Sequence, residues 1–311
     1  MIEDYPGTIK ELESRFGDEA ACREYLFRLR WPEGFVCPGC GARSAWTLRK
    51  GLWQCEVCRR QVSVTAGTVF DGSHLPLPVW FRVMWHVTSQ KNGISALGLQ
   101  RVLGLGSYKT AWAMLHKLRR AMVRPGRERL WGRVEVDEAY WGGEETGVTG
   151  RKIEGKVLIV GAVELKDSGM GRVRLRHIPD TDRTTLHTFI HDSVEPGSTV
   201  CTDGLQAYRE LVGYNHERYI QKHQPSGEYV LPHVHRVVSL LKRWLLGTHQ
   251  GAIAHAHLDD YLNEFVFRFN RRLSASRGKL FYRLAQQAVH MPPQPFATIT
   301  TPQPLGGGGA K

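Results

Sequence analysis

The chain has 311 residues and an ordinary apolar share, enough for two domains, a further small module and at least one sizeable core. Lys and Arg outnumber Asp and Glu by 42 to 30, an excess that favours a polyanionic partner because each neutralised phosphate releases counterions. The start, MIEDYPGTIKELESRF, lacks a basic stretch followed by an apolar one, and the longest strongly apolar run, around Val157–Val163, is far too short for a bilayer. Neither a secretory signal nor a membrane span is expected, and a cytoplasmic protein follows.

Residues 1–30 read as a helical segment, with Ile9, Leu12, Phe16, Cys22 and Leu26 loosely at helical period. Residues 31–72 are rich in Gly, Cys and aromatics and predict a small ribbon of short strands. Within it, Cys37-Pro-Gly-Cys40 and Cys55-Glu-Val-Cys58 give C-x2-C-x14-C-x2-C, with Gly39 and Gly41 relieving the first turn. Two such knuckles can offer four thiolates to one tetrahedral Zn2+, and a core this small could hardly fold without the metal. A redox site would show a lone C-x-x-C instead. Cys22 and Cys201 stand apart, and six cysteines used this way fit a reducing compartment.

A region from 75 to 123 follows, opened by the prolines of LPLPVWF. A short helix is predicted over Gly93–Leu103 with Ile94, Leu97, Val102 and Leu103 inward, then a turn with Ser107 as N-cap. A second helix, Tyr108–Met122, buries Ala111, Met114, Leu115 and Leu118 and exposes Lys109, Lys117, Arg119 and Arg120. Two helices on a short glycine turn, the second basic, match a DNA-reading helix-turn-helix or an ordinary helical hairpin. RPGRERLWG (124–132) has linker composition. Beyond it, strands are predicted at 133–141, 156–165, 171–179 and 198–203, and helices near 183–194, 234–246 and 257–272. A catalytic α/β domain over 133–285 and a disordered tail over 286–311 complete the division.

Val134 and Val136 alternate onto the core side of the first of these strands, which sets Asp137 with Glu135 on the opposite, polar face. Asp203 ends a second strand before Gly204. A strand-end Asp beside glycine is also a common turn residue. Taken together, two carboxylates on one sheet can hold Mg2+ or Mn2+ by hard oxygen ligation, as a two-metal phosphoryl-transfer site requires. A third ligand is expected on a later helix. Residues 235, 239 and 242 share a helix face, so His235, Ser239 and Lys242 look the same way, while Val234, Val238, Leu241 and Leu245 form a packing stripe.

Several motifs in order resemble those of insertion-sequence transposases of the 1595 family. They are Val136-Asp-Glu-Ala-Tyr-Trp-Gly-Gly143, Thr202-Asp-Gly-Leu-Gln-Ala-Tyr208, Val234-His-Arg-Val-Val-Ser-Leu-Leu-Lys-Arg243, Gly247-Thr-His-Gln-Gly251 and Tyr261-Leu-Asn-Glu-Phe-Val-Phe-Arg-Phe-Asn-Arg-Arg272, with Val62-Ser-Val-Thr-Ala-Gly-Thr-Val-Phe70 after the ribbon. The resemblance covers roughly residues 20–275. It implies a ribonuclease-H-like catalytic domain whose acidic triad is represented by Asp137 and Asp203, with His235 where the wider superfamily has Glu and Lys242 as a basic residue contacting DNA phosphate. An imidazole at the third position suits Mn2+ better than Mg2+; the other reading of His235 is a surface or capping histidine that contacts DNA phosphate. It further implies double-stranded DNA partners (terminal inverted repeats and target DNA), a homodimer or larger synaptic assembly, and a bacterial cytoplasm, on the nucleoid when DNA-bound. A non-enzymatic DNA-binding regulator and a plain nuclease are the rival functions. Glu138 is expected to be structural. His249, His255 and His257 are expected to be solvated, Asp259, Asp260 and Glu264 to be exposed helix charges, and the RFNRR segment (268–272) either to track DNA backbone or to solvate a helix end.

Overall fold

The computed structural model describes residues 3–142, 156–167, 169–220 and 230–301. They fall into two compact units. The first comprises the chain up to Arg124 together with Leu273–Thr301, and the second is Pro125–Arg272.

In the first unit, α1 (Ile9–Arg15) and α2 (Glu19–Arg30) are each started by an N-cap side chain: Thr8 accepts from the Glu11 N–H and Asp18 from the Ala21 N–H. The ribbon is the antiparallel sheet β1 (Ala45–Leu48), β2 (Leu52–Cys55) and β3 (Gln61–Ser63). Arg30 fastens α2 to its far end by donating to the Ser63 and Val64 carbonyls at 3.1 and 2.8 Å. Three helices follow: α3 (Leu77–Ser89), α4 (Ala96–Leu103) and α5 (Tyr108–Ala121). The prolines of LPLPVWF do open α3, Pro76 at its N-cap, and Glu19 of α2 accepts the Leu77 N–H at 2.8 Å. In α4 the inward residues are Ala96 and Leu99; Leu97 and Val102 are 45% and 58% exposed, against the sequence expectation. Ser107 sits at the N-cap of α5 without a capping hydrogen bond from its side chain.

The chain returns to this unit with α9 (Arg277–Ala288) and α10 (Phe296–Thr300). Phe281 of α9 closes an aromatic cluster with Phe16, Tyr25, Phe81 and Trp85, ring centroids 5.6–6.2 Å from it. The division thus departs from a catalytic domain running to 285. Residues 286–301, expected as part of a disordered tail, include the end of α9 and all of α10; residues 302–311 lie outside the described residues. Cys22 is fully buried, and burial pushes its thiol up to about 12. It is a packing residue.

The second unit is a five-stranded sheet between helices. Its strands are β4 (Arg133–Trp141), β5 (Val157–Lys166), β6 (Gly169–Ile178), β7 (Thr199–Thr202) and β8 (Asn215–Arg218), in the order β6-β5-β4-β7-β8. The first three run antiparallel as a meander, and β7 and β8 add in parallel. Helix α6 (Arg183–Ser193) covers one face, over Val134, Val136, Val160, Ala162 and Val200. On the other face, α7 (Pro232–His249) and α8 (Leu258–Phe269) pack over Ile159, Val163, Val173, Leu175 and Cys201. The buried stripe of α7 is Val234, Val237, Leu241 and Leu245; Val237 takes the place expected for Val238. The expected linker is partly core, since Leu130 is fully buried and exchanges hydrogen bonds with Ser193 and Glu195.

The RFNRR segment finishes the sheet. The Asn270 side chain accepts the Val173 N–H at 2.7 Å and donates to the Val173 carbonyl at 3.1 Å, copying a strand partner on the edge strand β6. Arg271 and Arg272 lie over the rings of Phe267 and Phe269. Asp260 and Glu264, expected as exposed charges, are buried at 7% and 0% exposure, and Glu264 pairs with Arg268 at 3.2 Å.

Candidate active site and zinc centre

The two knuckles are built alike. In the first, Cys37 N–H bonds to the Ala42 carbonyl and Gly41 N–H to the Cys37 carbonyl; in the second, Cys55 N–H bonds to Arg60 and Arg59 N–H to Cys55. The fifth residue of each turn has positive φ, +74° at Gly41 and +59° at Arg59, so glycine removes steric cost only at the first. The turns place the four sulfurs within 4.8 Å of one another, with Cys37–Cys58 at 3.5 Å and Cys40–Cys55 at 3.6 Å. Zn–S bonds of about 2.3 Å set tetrahedral sulfur–sulfur edges near 3.8 Å, so the four sulfurs fit a zinc ion. The thiols divide: the Gly39 N–H leads in pulling Cys37 down to about 6 and the Cys58 N–H leads in lowering Cys55, whereas at Cys40 the Ala42 N–H is outweighed by hydrogen bonding with Cys58, by burial and by the other two sulfurs, which push it up to about 12.

On α5, Lys109 is exposed, while Lys117 and Arg120 are half-buried. Burial lowers the Lys117 ammonium, with Asp71 opposing. Arg120 donates to the Gln294 side chain at 2.9 Å. Arg119 does not belong with these residues. It is 1% exposed, with one guanidinium nitrogen 3.3 Å from His116 Nε2, and so is withdrawn from any DNA surface.

In the second unit, Val134 and Val136 face α6, as expected, so Glu135 and Asp137 face α7. That face is covered by the helix. Glu135 is 4% exposed, and one of its carboxylate oxygens accepts the N–H groups of His233 and Val234, both at 2.9 Å; the other meets His233 Nδ1 at 2.7 Å. One turn into α7, His235 brings Nε2 to 3.6 Å from an Asp137 carboxylate oxygen. The Asp137 side chain is 13% exposed and the His235 side chain 52%, so the pair lies at the rim of the sheet.

Asp203 follows β7, the parallel neighbour of β4. The pairing runs Arg133↔Thr199, Val134↔Val200 and Glu135↔Cys201, and the same register carried two residues on aligns Asp137 with Asp203. One Asp203 oxygen accepts the Leu205 N–H at 2.9 Å, forming the turn that sequence reasoning allowed. Asp137, Asp203 and His235 do not form a cluster with ligand atoms all within 4.8 Å, in contrast to the cysteines. Lys242 lies about 10 Å further along α7 on the face of His235. It is half-buried, and no hydrogen bond or ion pair engages its ammonium among the described residues.

Tyr208, fully buried, joins the two acidic motifs: its hydroxyl donates to Glu138 at 2.8 Å. Burial first, then Glu138, Asp137 and Asp203, raise the phenol well above its ordinary range, so it stays a donor. Glu138 therefore works on the face away from Asp137. Sequence reasoning missed the parts played by Glu135, His233 and Tyr208. The available signals were the E-x-D alternation on β4 and the Tyr that closes TDGLQAY.

Residues 129–270 match the ISXO2-like transposase domain and residues 17–61 the transposase zinc-ribbon domain. A protein of Halobacterium salinarum described as an uncharacterized protein in transposable element ISH50 is 27% identical over 285 residues, covering 81% of this chain and 91% of that protein. The chain belongs to the insertion-sequence transposases of the 1595 family.

Proposed function

We propose that this transposase cleaves DNA at the ends of its mobile element and joins the freed 3′-hydroxyl to target DNA in a divalent-metal-dependent reaction. The observation that carries the reading is the approach of His235 to Asp137 at 3.6 Å, beside the strand register that aligns Asp203 with Asp137. The sheet order β6-β5-β4-β7-β8, a meander extended by two parallel strands, supports a ribonuclease-H-like domain. Asp137 and Asp203 supply the hard oxygen donors that Mg2+ or Mn2+ prefers, and His235 offers a nitrogen beside them. Two such ions, when bound, lower the pKa of an attacking water or hydroxyl and stabilise the leaving oxygen. Lys242, whose ammonium has no hydrogen bond or ion pair among the described residues, orients a backbone phosphate. The α4–α5 pair serves as a helix-turn-helix, with Lys109, Lys117 and Arg120 toward DNA and the ribbon beside them in end recognition. Holding two ends together requires at least a dimer.

Labelled oligonucleotides carrying the element's terminal repeats test this directly. Asp137→Ala and Asp203→Ala are expected to abolish cleavage while end binding persists, and His235→Ala to lose more activity in Mg2+ than in Mn2+. Binding without cleavage in the native protein with either metal would instead indicate a regulator, and cleavage without joined products a nuclease.

A further inference from the structure

Helix α7 starts in an unusual way. Its N-cap, Leu231, has φ +51° and no side-chain hydrogen bond to give, and Pro232 has no N–H. The first N–H groups needing a partner are those of His233 and Val234. Both end on a single oxygen of Glu135, a residue nearly a hundred positions earlier in the chain. The second oxygen takes the His233 ring. A carboxylate at a helix N-terminus is stabilised by the orphan N–H groups and the helix dipole, most strongly when partly buried, and Glu135 is 4% exposed.

The position of this contact matters because of what lies two residues on. Glu135 and Asp137 alternate on one face of β4, so the strand that carries the aspartate also grips the helix that carries His235. The grip falls on residues 233 and 234, immediately before the imidazole that comes to 3.6 Å from Asp137. We infer that Glu135 is a positioning residue: it fixes the first turn of α7 so that His235 is held against Asp137. This rests on the reading of Asp137 and His235 as active-site groups. Glu135 itself touches no reacting atom, since both its oxygens are engaged by α7.

The geometry separates this role from that of a metal ligand. In Glu135→Gln the amide oxygen can sit where both backbone N–H groups converge, and the amide NH2 can donate to a His233 Nδ1 that carries no proton. The grip survives without the charge. In Glu135→Ala it is lost. Using the full-length protein, cleavage of labelled end DNA is measured in Mg2+ and Mn2+, alongside end-DNA affinity. Glu135→Ala is expected to lose about 10²-fold in Mg2+, the scale of an ångström-sized misplacement, with a smaller loss in Mn2+ and unchanged end binding. Glu135→Gln is expected to stay within about threefold of the native rate. His233→Ala, at a half-exposed position that threatens the fold less, is expected to lose activity in the same metal-dependent pattern but to a smaller extent. Full activity in both Glu135→Ala and His233→Ala overturns the inference, as does a Glu135→Gln variant as inactive as Glu135→Ala, which would mark the charge itself as the working part. Asp137→Ala is run beside them: if it cleaves normally, the active-site reading fails, whereas an inactive Asp137→Ala beside an active Glu135→Ala removes only Glu135.

Discussion

Tyr208→Phe removes one oxygen and almost no volume, so it isolates the hydrogen bond that joins the Asp137 motif to the Asp203 motif. The lost bond runs from a fully buried hydroxyl to a carboxylate at 2.8 Å. Such charge-assisted bonds contribute roughly 1.5–3 kcal/mol. Glu138 is only half-buried and regains water, which places the loss at about 1.5–2 kcal/mol, the lower end of that range. Unfolding entropy near 2.1 cal/mol/K per residue, over a unit of roughly 150 residues, converts this to a fall of about 5–6 °C in the melting temperature of the second unit. The phenol's folded value is raised, so its contribution is fully present below the unfolded value near 10 and is lost only as pH rises through the folded one. Calorimetry should therefore give the same shift at pH 6 and at pH 9. Because the bond also steadies the turn after β7, cleavage should fall by about tenfold, equivalent to roughly 1.4 kcal/mol of transition-state stabilisation. A shift below 1 °C with cleavage unchanged would refute the idea that this bond holds the two acidic motifs together.

Cys55→Ser leaves three thiolates and should release zinc and unfold the ribbon while the second unit melts normally; metal analysis and calorimetry report on each. Gly278→Ala should destabilise the first unit by about 3 kcal/mol, because a Cβ there would collide with the Pro6 carbonyl, and denaturant titration of that unit measures it. Glu164 is 2% exposed, and although burial raises its carboxyl, hydrogen bonds from Arg172 outweigh this and hold it below the ordinary range. Its depressed value means stability that is present above about pH 4.3 and lost as pH falls through the folded value. Urea midpoints between pH 3 and 7 should thus drop steeply at the acid end, and Glu164→Gln should flatten that limb.

Much of the second unit was legible because its strands and helices carry strong periods. Val134 and Val136 alternate against Glu135 and Asp137, and α7 repeats apolar residues at three and four. The same rule could not choose between Val237 and Val238, which both fit the spacing. Strand β8, Asn-His-Glu-Arg, was invisible because a polar edge strand has no apolar alternation to read. Arg119 misled because charge was weighed above position: four residues beyond Leu115, it shares that buried face. Glu264 misled in a similar way, since its burial depends on Arg268 one turn on, and a pairing of that kind is not encoded in the residue type. The aspartates were readable as a pair, but the grip of Glu135 on α7 spans the whole α/β layer and has no local pattern. Pairing of α9 with the N-terminal helices is equally non-local: its apolar face fits any core, and only tertiary structure selects one.

The return of the chain to its first unit bears on the order in which the molecule can be made. The N-terminal helices and ribbon leave the ribosome before the second unit, yet Phe281, the ring that completes the cluster of Phe16, Tyr25, Phe81 and Trp85, emerges only after it. Until then, Phe16 and Phe81 have no partner from α9 to shield them. Among the described residues the second unit, by contrast, is contiguous and can close as soon as Arg272 is out. A chain cut short before α9 would thus carry a foldable second unit with its acidic site, and a first unit lacking the ring that closes its aromatic cluster.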